Sequence, residues 1–444
     1  MDVFLLPKKK LTSFQIIILG FLGVILLGTI LLMLPLSSKD GCATPFLDAL
    51  FTSTSAVCVT GLVLHDTATY WSMFGQLVIM ILIQIGGMGV ITVAAAFALI
   101  SGRKISLMQR STMQEAISAP KVGGIVRLTS FIIKTTLLIE LAGAAFMAPV
   151  FCRDFGAKGL WMALFHSISA FCNAGFDLMG ARASFSSLTS YAEEPVINLT
   201  IMLLIIIGGI GFLTWDDIRS NRLHLHQYRM QSKIILCTTA LLLAAPAVYF
   251  FFFEFGSLEP EKRILASLFQ SVTPRTAGFN TVDLASISEA GQCITIVLML
   301  IGGSPGSTAG GMKTTTVAVL FATAISTFRR QESAHFFGRR IDDDVVKNAA
   351  TILVMYLALF FFGGLTISIA EKLPMLTCLF EAASAVGTVG LSLGITPGLG
   401  IVSKIILVTL MFCGRVGGLT LIFAALSGTQ KNVSKFPREK VTVG

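Results

Sequence analysis

Four short glycine-centred segments recur along this 444-residue chain and carry its most distinctive backbone chemistry. They read Cys58-Val59-Thr60-Gly61-Leu62, Cys172-Asn173-Ala174-Gly175-Phe176, Arg275-Thr276-Ala277-Gly278-Phe279 and Gly387-Thr388-Val389-Gly390-Leu391. Their glycines lie 114, 103 and 112 residues apart, as expected of one unit repeated four times. Glycine permits the positive-φ turns that let successive carbonyls face one axis. A ring of such carbonyls replaces the water around an alkali cation such as K⁺ without burying a net negative charge. Thr60, Thr276, Thr388 and Asn173 supply polar groups able to hold these turns from behind.

The elements that would position the segments are short. Each glycine follows an apolar stretch of about 13 residues, at 45–58, 160–172, 262–275 and 374–386. As helices these reach about 20 Å, too little to cross a hydrocarbon core of about 30 Å. Such a segment must return to the side it came from, and its non-helical backbone belongs against protein or a hydrated cavity. Pro45, Pro260 and Pro374 suit first helical positions. Asp48 and Glu261 lie near helix N-termini, where the dipole favours a carboxylate, and Glu381 lies further along its segment. The C-terminal ends then aim negative partial charge at the axis.

With 54% hydrophobic and 13% charged residues, the composition is that of a membrane protein. Eight segments are long enough to span: about 14–35, 71–100, 128–150, 196–215, 232–253, 292–325, 346–370 and 401–427. Lys8-Lys9-Lys10 precedes the first, which reads as a span and not as a cleaved signal. With both termini inside, the inner segments hold 21 Lys and Arg and the outer ones 8, Arg275 among the latter. The outer face is then net −6 and the inner face +12, a polarity that draws cations to the outside. The basic excess is thus topological, and no nucleic-acid partner is expected.

The third unit departs from the others. Gly302-Gly303-Ser304-Pro305-Gly306 and Ser307-Thr308-Ala309-Gly310-Gly311 interrupt the 292–325 segment, and so many glycines with a proline cannot continue a helix. The stretch is either a kinked span held by its neighbours or a mobile obstruction below the glycine segments. Arg415 lies well inside an apolar run; a charge there faces the bundle interior or water, as a barrier to cations and a donor to loop carbonyls, or as half of an ion pair. Lys313 either joins it or snorkels inward. Glu140 is a buried hydrogen-bonding group or a coupling-ion site.

Other clusters read as weaker signals. His224 and His226 lack a third metal ligand, and Asp342-Asp343-Asp344 suits the cap of a helix beginning near Val345. Gly86-Gly87-x-Gly89 and Gly208-Gly209-x-Gly211 read as close helix contacts. Eight scattered cysteines form no CxxC pair and read as packing residues. No nucleophile, base and orienting group stand in a catalytic pattern, so an enzyme is not expected.

The segments 48–62, 165–176, 272–280 and 384–391, together with Gln84-Ile85-Gly86-Gly87-Met88-Gly89 and the 302–311 loop, resemble the Trk/Ktr/HKT superfamily of potassium transporters, within it the Ktr-type membrane subunits. The resemblance covers nearly the whole chain. It implies an all-α membrane protein of four span–pore-loop–span repeats around a pseudo-fourfold ion pore, in a bacterial cytoplasmic membrane, multi-pass, with both termini cytoplasmic. The repeats would cover 1–101, 102–219, 220–328 and 329–427, with a cytoplasmic tail at 428–444 that packs at a homodimer interface.

It also implies a K⁺ selectivity filter at Val59, Thr60 and Gly61, at Asn173, Ala174 and Gly175, at Thr276, Ala277 and Gly278, and at Thr388, Val389 and Gly390. All four key positions being glycine implies K⁺ over Na⁺. The 302–311 loop, Lys313 and Arg415 would form a gate. A KtrA-like cytosolic nucleotide-binding ring would regulate it, with Na⁺ stimulation, and no organic cofactor is implied in this chain. The alternative is a carrier of another monovalent cation, Na⁺ or NH₄⁺, on the same scaffold, with an integral membrane enzyme or a non-conducting membrane scaffold as the remaining rivals.

Overall fold

The computed structural model describes residues 12–100, 106–117, 123–222, 224–418 and 420. The tail at 428–444, Lys8-Lys9-Lys10 and the last part of the 401–427 segment lie outside the described residues.

The described residues are predominantly helical. It begins with α1 (Ser13–Met33), where Thr12 Oγ1 accepts from Gln15 N–H at 3.3 Å and Gln15 Oε1 accepts from Thr12 N–H at 3.1 Å, a reciprocal cap. Then follow α2 (Phe46–Val57), α3 (Thr67–Tyr70), α4 (Met73–Met88) and α5 (Val90–Ile100). Next come α6 (Leu107–Ile117), α7 (Ile125–Phe155), α8 (Lys158–Phe171), α9 (Pro195–Gly209) and α10 (Phe212–Asn221). After these are α11 (Met230–Tyr249), which continues through a wider turn over Phe250–Glu254, α12 (Pro260–Val272), α13 (Glu289–Leu300) and α14 (Thr314–Phe328). The last are α15 (Asp343–Glu371), α16 (Met375–Val386) and α17 (Ile401–Val416). Two two-residue strands, His335–Phe336 and Arg339–Arg340, pair antiparallel between α14 and α15.

Burial is inverted relative to a soluble protein. The short helices α2, α8 and α16 bury Ser, Thr and His beside Phe and Ala, whereas α1, α7, α11 and α15 expose Leu27, Leu138, Leu241 and Phe362. A fold that faces outward with leucine and phenylalanine is matched to lipid. Each short helix packs on the long helix before it: α2 on α1, α8 on α7, α12 on α11 and α16 on α15.

The expected spans divide into two kinds. Ser13–Met33, Ile125–Phe155, Met230–Glu254 and Asp343–Glu371 are continuous and long enough to cross a bilayer. The 71–100 and 196–215 segments are broken, because Gly89 and Gly211 take φ of 85° and 93°, and α9 and α10 meet at 95°. The 292–325 segment is interrupted between Leu300 and Thr314, and α17 ends before Gly417, at φ 85°. Glycine at positive φ terminates a helix at no steric cost, so a hydropathy run does not guarantee one straight helix.

Smaller expectations shift too. The four short helices lie within a few residues of the predicted stretches, but Pro45 and Pro374 cap α2 and α16 from outside, and only Pro260 takes a first helical position. Asp342 precedes α15 without a side-chain cap bond, leaving Asp343 and Asp344 to act as first-turn charges. Arg275, assigned to the outer surface, is 6% exposed, and its guanidinium contacts Thr239 Oγ1 at 3.5 Å.

Candidate functional site

The backbone at the four segments takes the same unusual form. In each, the glycine and the residue two before it have positive φ: Val59 56° and Gly61 91°, Asn173 59° and Gly175 69°, Thr276 68° and Gly278 83°, Thr388 52° and Gly390 94°. A left-handed non-glycine residue costs about 1–2 kcal/mol, so four in register are held by their surroundings. The restraint comes from the short helices. Thr60, Ala174 and Val389 each donate N–H to the carbonyl five residues back, Ser55, Ser169 and Ser384, at 2.8 Å. In the third segment the turn is one residue tighter, and Ala277 N–H reaches Thr273 O at 3.0 Å.

The hydroxyls of the same four residues hold the glycines. Ser55 Oγ and Ser384 Oγ accept from Gly61 and Gly390 N–H at 3.1 and 3.0 Å. Ser169 Oγ donates to Phe176 O at 2.7 Å, and Thr273 Oγ1 donates to Phe279 O. The polar residues beside the glycines do not do this bracing. Instead, Thr60 and Thr388 hydroxyls have no partner among the described residues, while Asn173 Nδ2 donates to Thr276 Oγ1 at 3.4 Å. A hydroxyl six residues before the glycine, five in the third segment, is the signal that was there to be read.

The four glycines meet. A Cβ added to Gly61 would lie 2.5 Å from Ala174 O and 3.0 Å from Gly175 Cα. One on Gly175 would lie 2.9 Å from Ala277 O and 3.0 Å from Gly278 Cα. One on Gly278 would strike Val389 O, and one on Gly390 would strike Thr60 O and lie 2.9 Å from Gly61 Cα. Each glycine thus faces the carbonyl just before the next glycine, and the fourth returns to the first. A side chain at any of these positions would push against the backbone of the next segment.

Cavities lie on both sides. One of about 260 Å³ is lined by Gly61, Gly175, Gly278 and Gly390 and carries the carboxylates Asp66, Asp177 and Asp283. Burial, with the Asp66 charge adding to it, pushes Asp177 up to about 7. A second, of about 240 Å³, is lined by Gly306, Ser307, Lys313, Tyr356 and Arg415.

The 302–311 loop stands between α13 and α14 and is tied to its surroundings by backbone bonds. Ser304 N–H donates to Gly209 O at 3.0 Å, Thr308 N–H to Gly208 O at 3.2 Å and Gly311 N–H to Gly414 O at 3.2 Å. In return Phe212 N–H donates to Gly306 O at 2.7 Å. Thr308 Oγ1 donates to Phe171 O, at the end of α8, at 3.0 Å. Within the loop, Ser307 Oγ bonds Ser304 O at 2.7 Å, and Ser304 Oγ meets Thr314 Oγ1 at 3.1 Å.

Arg415 forms no ion pair among the described residues; its guanidinium donates to Thr308 O, Gly86 O and, at 3.1 Å, Gly87 O. Lys313 does not snorkel away, since its Nζ donates to Ala309 O at 2.8 Å and Gly310 O at 3.3 Å. Two cations therefore hold one loop by its carbonyls. Glu140 acquires a partner that its sequence neighbourhood could not name: Gln84 Nε2 donates to it at 3.2 Å. His224 and His226 remain on an exposed turn without a third ligand among the described residues.

The profile of a family described as TrkH, cation transport protein, matches residues 5–435. The potassium/sodium uptake protein NtpJ of Enterococcus hirae is 39% identical over 98% of both chains. The Ktr system potassium uptake protein B of Bacillus subtilis is 38% identical over 98% of this chain and 97% of its own. Its namesake in Vibrio alginolyticus is 36% identical over 98% and 96%. Among solved structures, the potassium transporter TrkH of Vibrio parahaemolyticus superposes with a TM-score of 0.74 over 95% of this chain and 86% of its own, at 19% identity, which speaks to fold alone.

Proposed function

The chain belongs to the TrkH family of cation transport proteins and is a multi-pass membrane transporter, not an enzyme; from that premise we propose that it takes up K⁺ through the glycine ring. The observation that carries this reading is the cyclic contact of Gly61, Gly175, Gly278 and Gly390. Four peptide segments that close on one another present carbonyls to a shared axis, and such oxygens substitute for a hydration shell. The C-terminal ends of α2, α8, α12 and α16 lead into the ring and add negative partial charge. Asp66, Asp177 and Asp283 on the other side of the glycines raise the local cation concentration.

A cation leaving the ring then meets the 302–311 loop and Arg415. In this reading the loop is a gate, and the bonds from Arg415 and Lys313 to its carbonyls hold it shut. Opening must exchange these bonds for others, a change fit for control by a cytosolic partner, here a nucleotide-binding ring docked on the basic inner loops of a homodimer. Both termini lie in the cytoplasm of a bacterial cell, and the repeats divide at 1–101, 102–219, 220–328 and 329–427. An inside-negative potential supplies roughly 2.3 kcal/mol per charge per 100 mV, enough to accumulate K⁺ without a nucleotide site in this chain. Na⁺ enters this reading as a stimulating or accompanying ion, and the description of the Enterococcus relative as a potassium/sodium uptake protein supports a place for Na⁺ alongside K⁺.

Proteoliposomes containing this chain alone test the reading. Under an inside-negative potential they should take up ⁸⁶Rb⁺ in competition with K⁺ at a basal rate that Arg415→Gln raises; liposomes no leakier than empty ones with both the parent and the Arg415→Gln chain would refute it.

A further inference from the structure

Each hydroxyl that holds a glycine is preceded, three residues earlier on its short helix, by a buried polar side chain: Thr52, His166, Gln270 and Glu381. The four occupy one structural position and do different things. Thr52 Oγ1 donates to Asp48 O of its own helix at 3.0 Å, and Gln270 Nε2 donates to Thr295 Oγ1 on α13 at 3.5 Å.

The other two reach the chain that leaves the ring. Leu178 N–H donates to His166 Nε2 at 3.3 Å, and Leu393 N–H donates to Glu381 Oε1 at 3.1 Å. Leu178 and Leu393 are each the third residue after their glycine. Glu381 accepts further from Ser392 Oγ at 2.6 Å and Thr396 Oγ1 at 2.8 Å, so both its oxygens are committed. Because Leu178 donates to Nε2, the proton of a neutral His166 sits on Nδ1, which donates to Met162 O at 2.7 Å. In ring order Gly175 and Gly390 are diagonal, so the two braces face each other across the axis.

We propose that His166 and Glu381 are specificity-determining positioning residues, holding the Gly175 and Gly390 segments at a carbonyl spacing that suits K⁺ and resists closing on the smaller Na⁺. The proposal rests on the reading of the glycine ring as a K⁺ filter. The Gly390 segment is anchored by Ser384 Oγ at the glycine N–H and by Glu381 at Leu393 N–H, the Gly175 segment by Ser169 Oγ at Phe176 O and by His166 at Leu178 N–H, and neither can move inward without breaking both of its bonds. Gln270 and Thr52 leave the other two exits to other restraints, such as Ser187 Oγ on Asn280 N–H, so this kind of brace acts on one diagonal alone.

The test compares His166→Leu and Glu381→Leu with His166→Gln and Glu381→Gln in proteoliposomes. The readout is the concentration of Na⁺ that halves ⁸⁶Rb⁺ uptake, divided by that of K⁺, a ratio independent of how much protein is active. The leucine variants should make Na⁺ about fivefold more competitive, the worth of one hydrogen bond, while the glutamines, which keep an acceptor, stay within about twofold of the parent.

Unchanged ratios in folded leucine variants, with Gly175→Ser altering the ratio, would overturn the proposal and leave the filter reading intact. If Gly175→Ser also left the ratio unchanged, the filter reading would be the failure. Should a leucine variant not fold, His166→Ala and Glu381→Ala, which remove the same acceptors from Leu178 and Leu393 without adding bulk, carry the test, and an unaltered ratio in both overturns it.

Discussion

Lys404 Nζ lies 2.9 Å from Asp48 Oδ1, an ion pair between residues 356 apart that ties the last described long helix, α17, to the first short one, α2. His65 Nε2 meets the other oxygen of Asp48 at 3.2 Å and stacks on Tyr70 with ring centroids 4.0 Å apart. The same helices pack along their length, so the fourth glycine segment is brought back beside the first. Similar ties join other neighbours: Phe185 N–H donates to Asp66 Oδ2 at 2.9 Å, and Asn280 N–H to Ser187 Oγ at 3.2 Å.

Lys404→Met should therefore lower thermal stability in detergent. Both partners are mostly buried, with side chains 17% and 16% exposed, and breaking such a pair costs about 1–3 kcal/mol, between the surface and interior limits. Asp48→Asn should cost a similar amount, and the double variant less than the two losses added. Additive losses in the double-mutant cycle would show that the pair is not coupled.

Arg415→Gln should raise basal flux. The side chain holds Thr308 O against the backbone of Gly86 and Gly87, and its charge opposes a passing cation. A like charge about 8 Å from a cation costs about 2 kcal/mol at an effective dielectric near 20, so ⁸⁶Rb⁺ uptake without a regulatory partner should rise on the order of tenfold. Shortening 302–311 should act in the same direction. Equal or lower flux from protein that elutes as a folded species would argue against a gate at this loop.

Uptake should also fall on acidifying the Asp177 side. With its carboxyl raised to about 7, Asp177 is mostly charged at pH 8 and mostly protonated at pH 6. Losing one negative charge from the cavity that also holds Asp66 and Asp283 should reduce uptake at low Rb⁺ by about twofold. Asp177→Asn should be low and flat over the same interval. A wild-type profile that does not change between pH 6 and 8 would remove this carboxylate from the pathway.

The parts visible in the sequence were those set by local rules. Four glycines at near-equal spacing, four short apolar helices and an arginine inside an apolar run each follow from composition and length, and the structure places them as neighbours. The features that local rules do not set depend on distant partners or on backbone sign. Lys404 and Arg275 look like ordinary charges until Asp48 and the interior packing around α11 and α12 are known. Gly86-Gly87-x-Gly89 reads as helix packing, and Gly86 does pack on Val57 O and Gly87 on Cys172; what the motif hides is that Gly89 ends the helix at φ 85°. His166 and Glu381 were hidden because their partners, Leu178 and Leu393, enter through backbone N–H groups that no residue type announces.

Gly175→Ser gives the most direct measurement of the central claim. Gly175 has φ 69°, and a side chain there would press within 2.9 Å of Ala277 O, one of the carbonyls assigned to the ion. In proteoliposomes, Na⁺ competition against ⁸⁶Rb⁺ uptake should strengthen by about tenfold or more, equivalent to roughly 1.4 kcal/mol, as the ring loses its fit to K⁺. A folded Gly175→Ser protein with the parent's Rb⁺, K⁺ and Na⁺ competition would show that the glycine ring does not choose the ion.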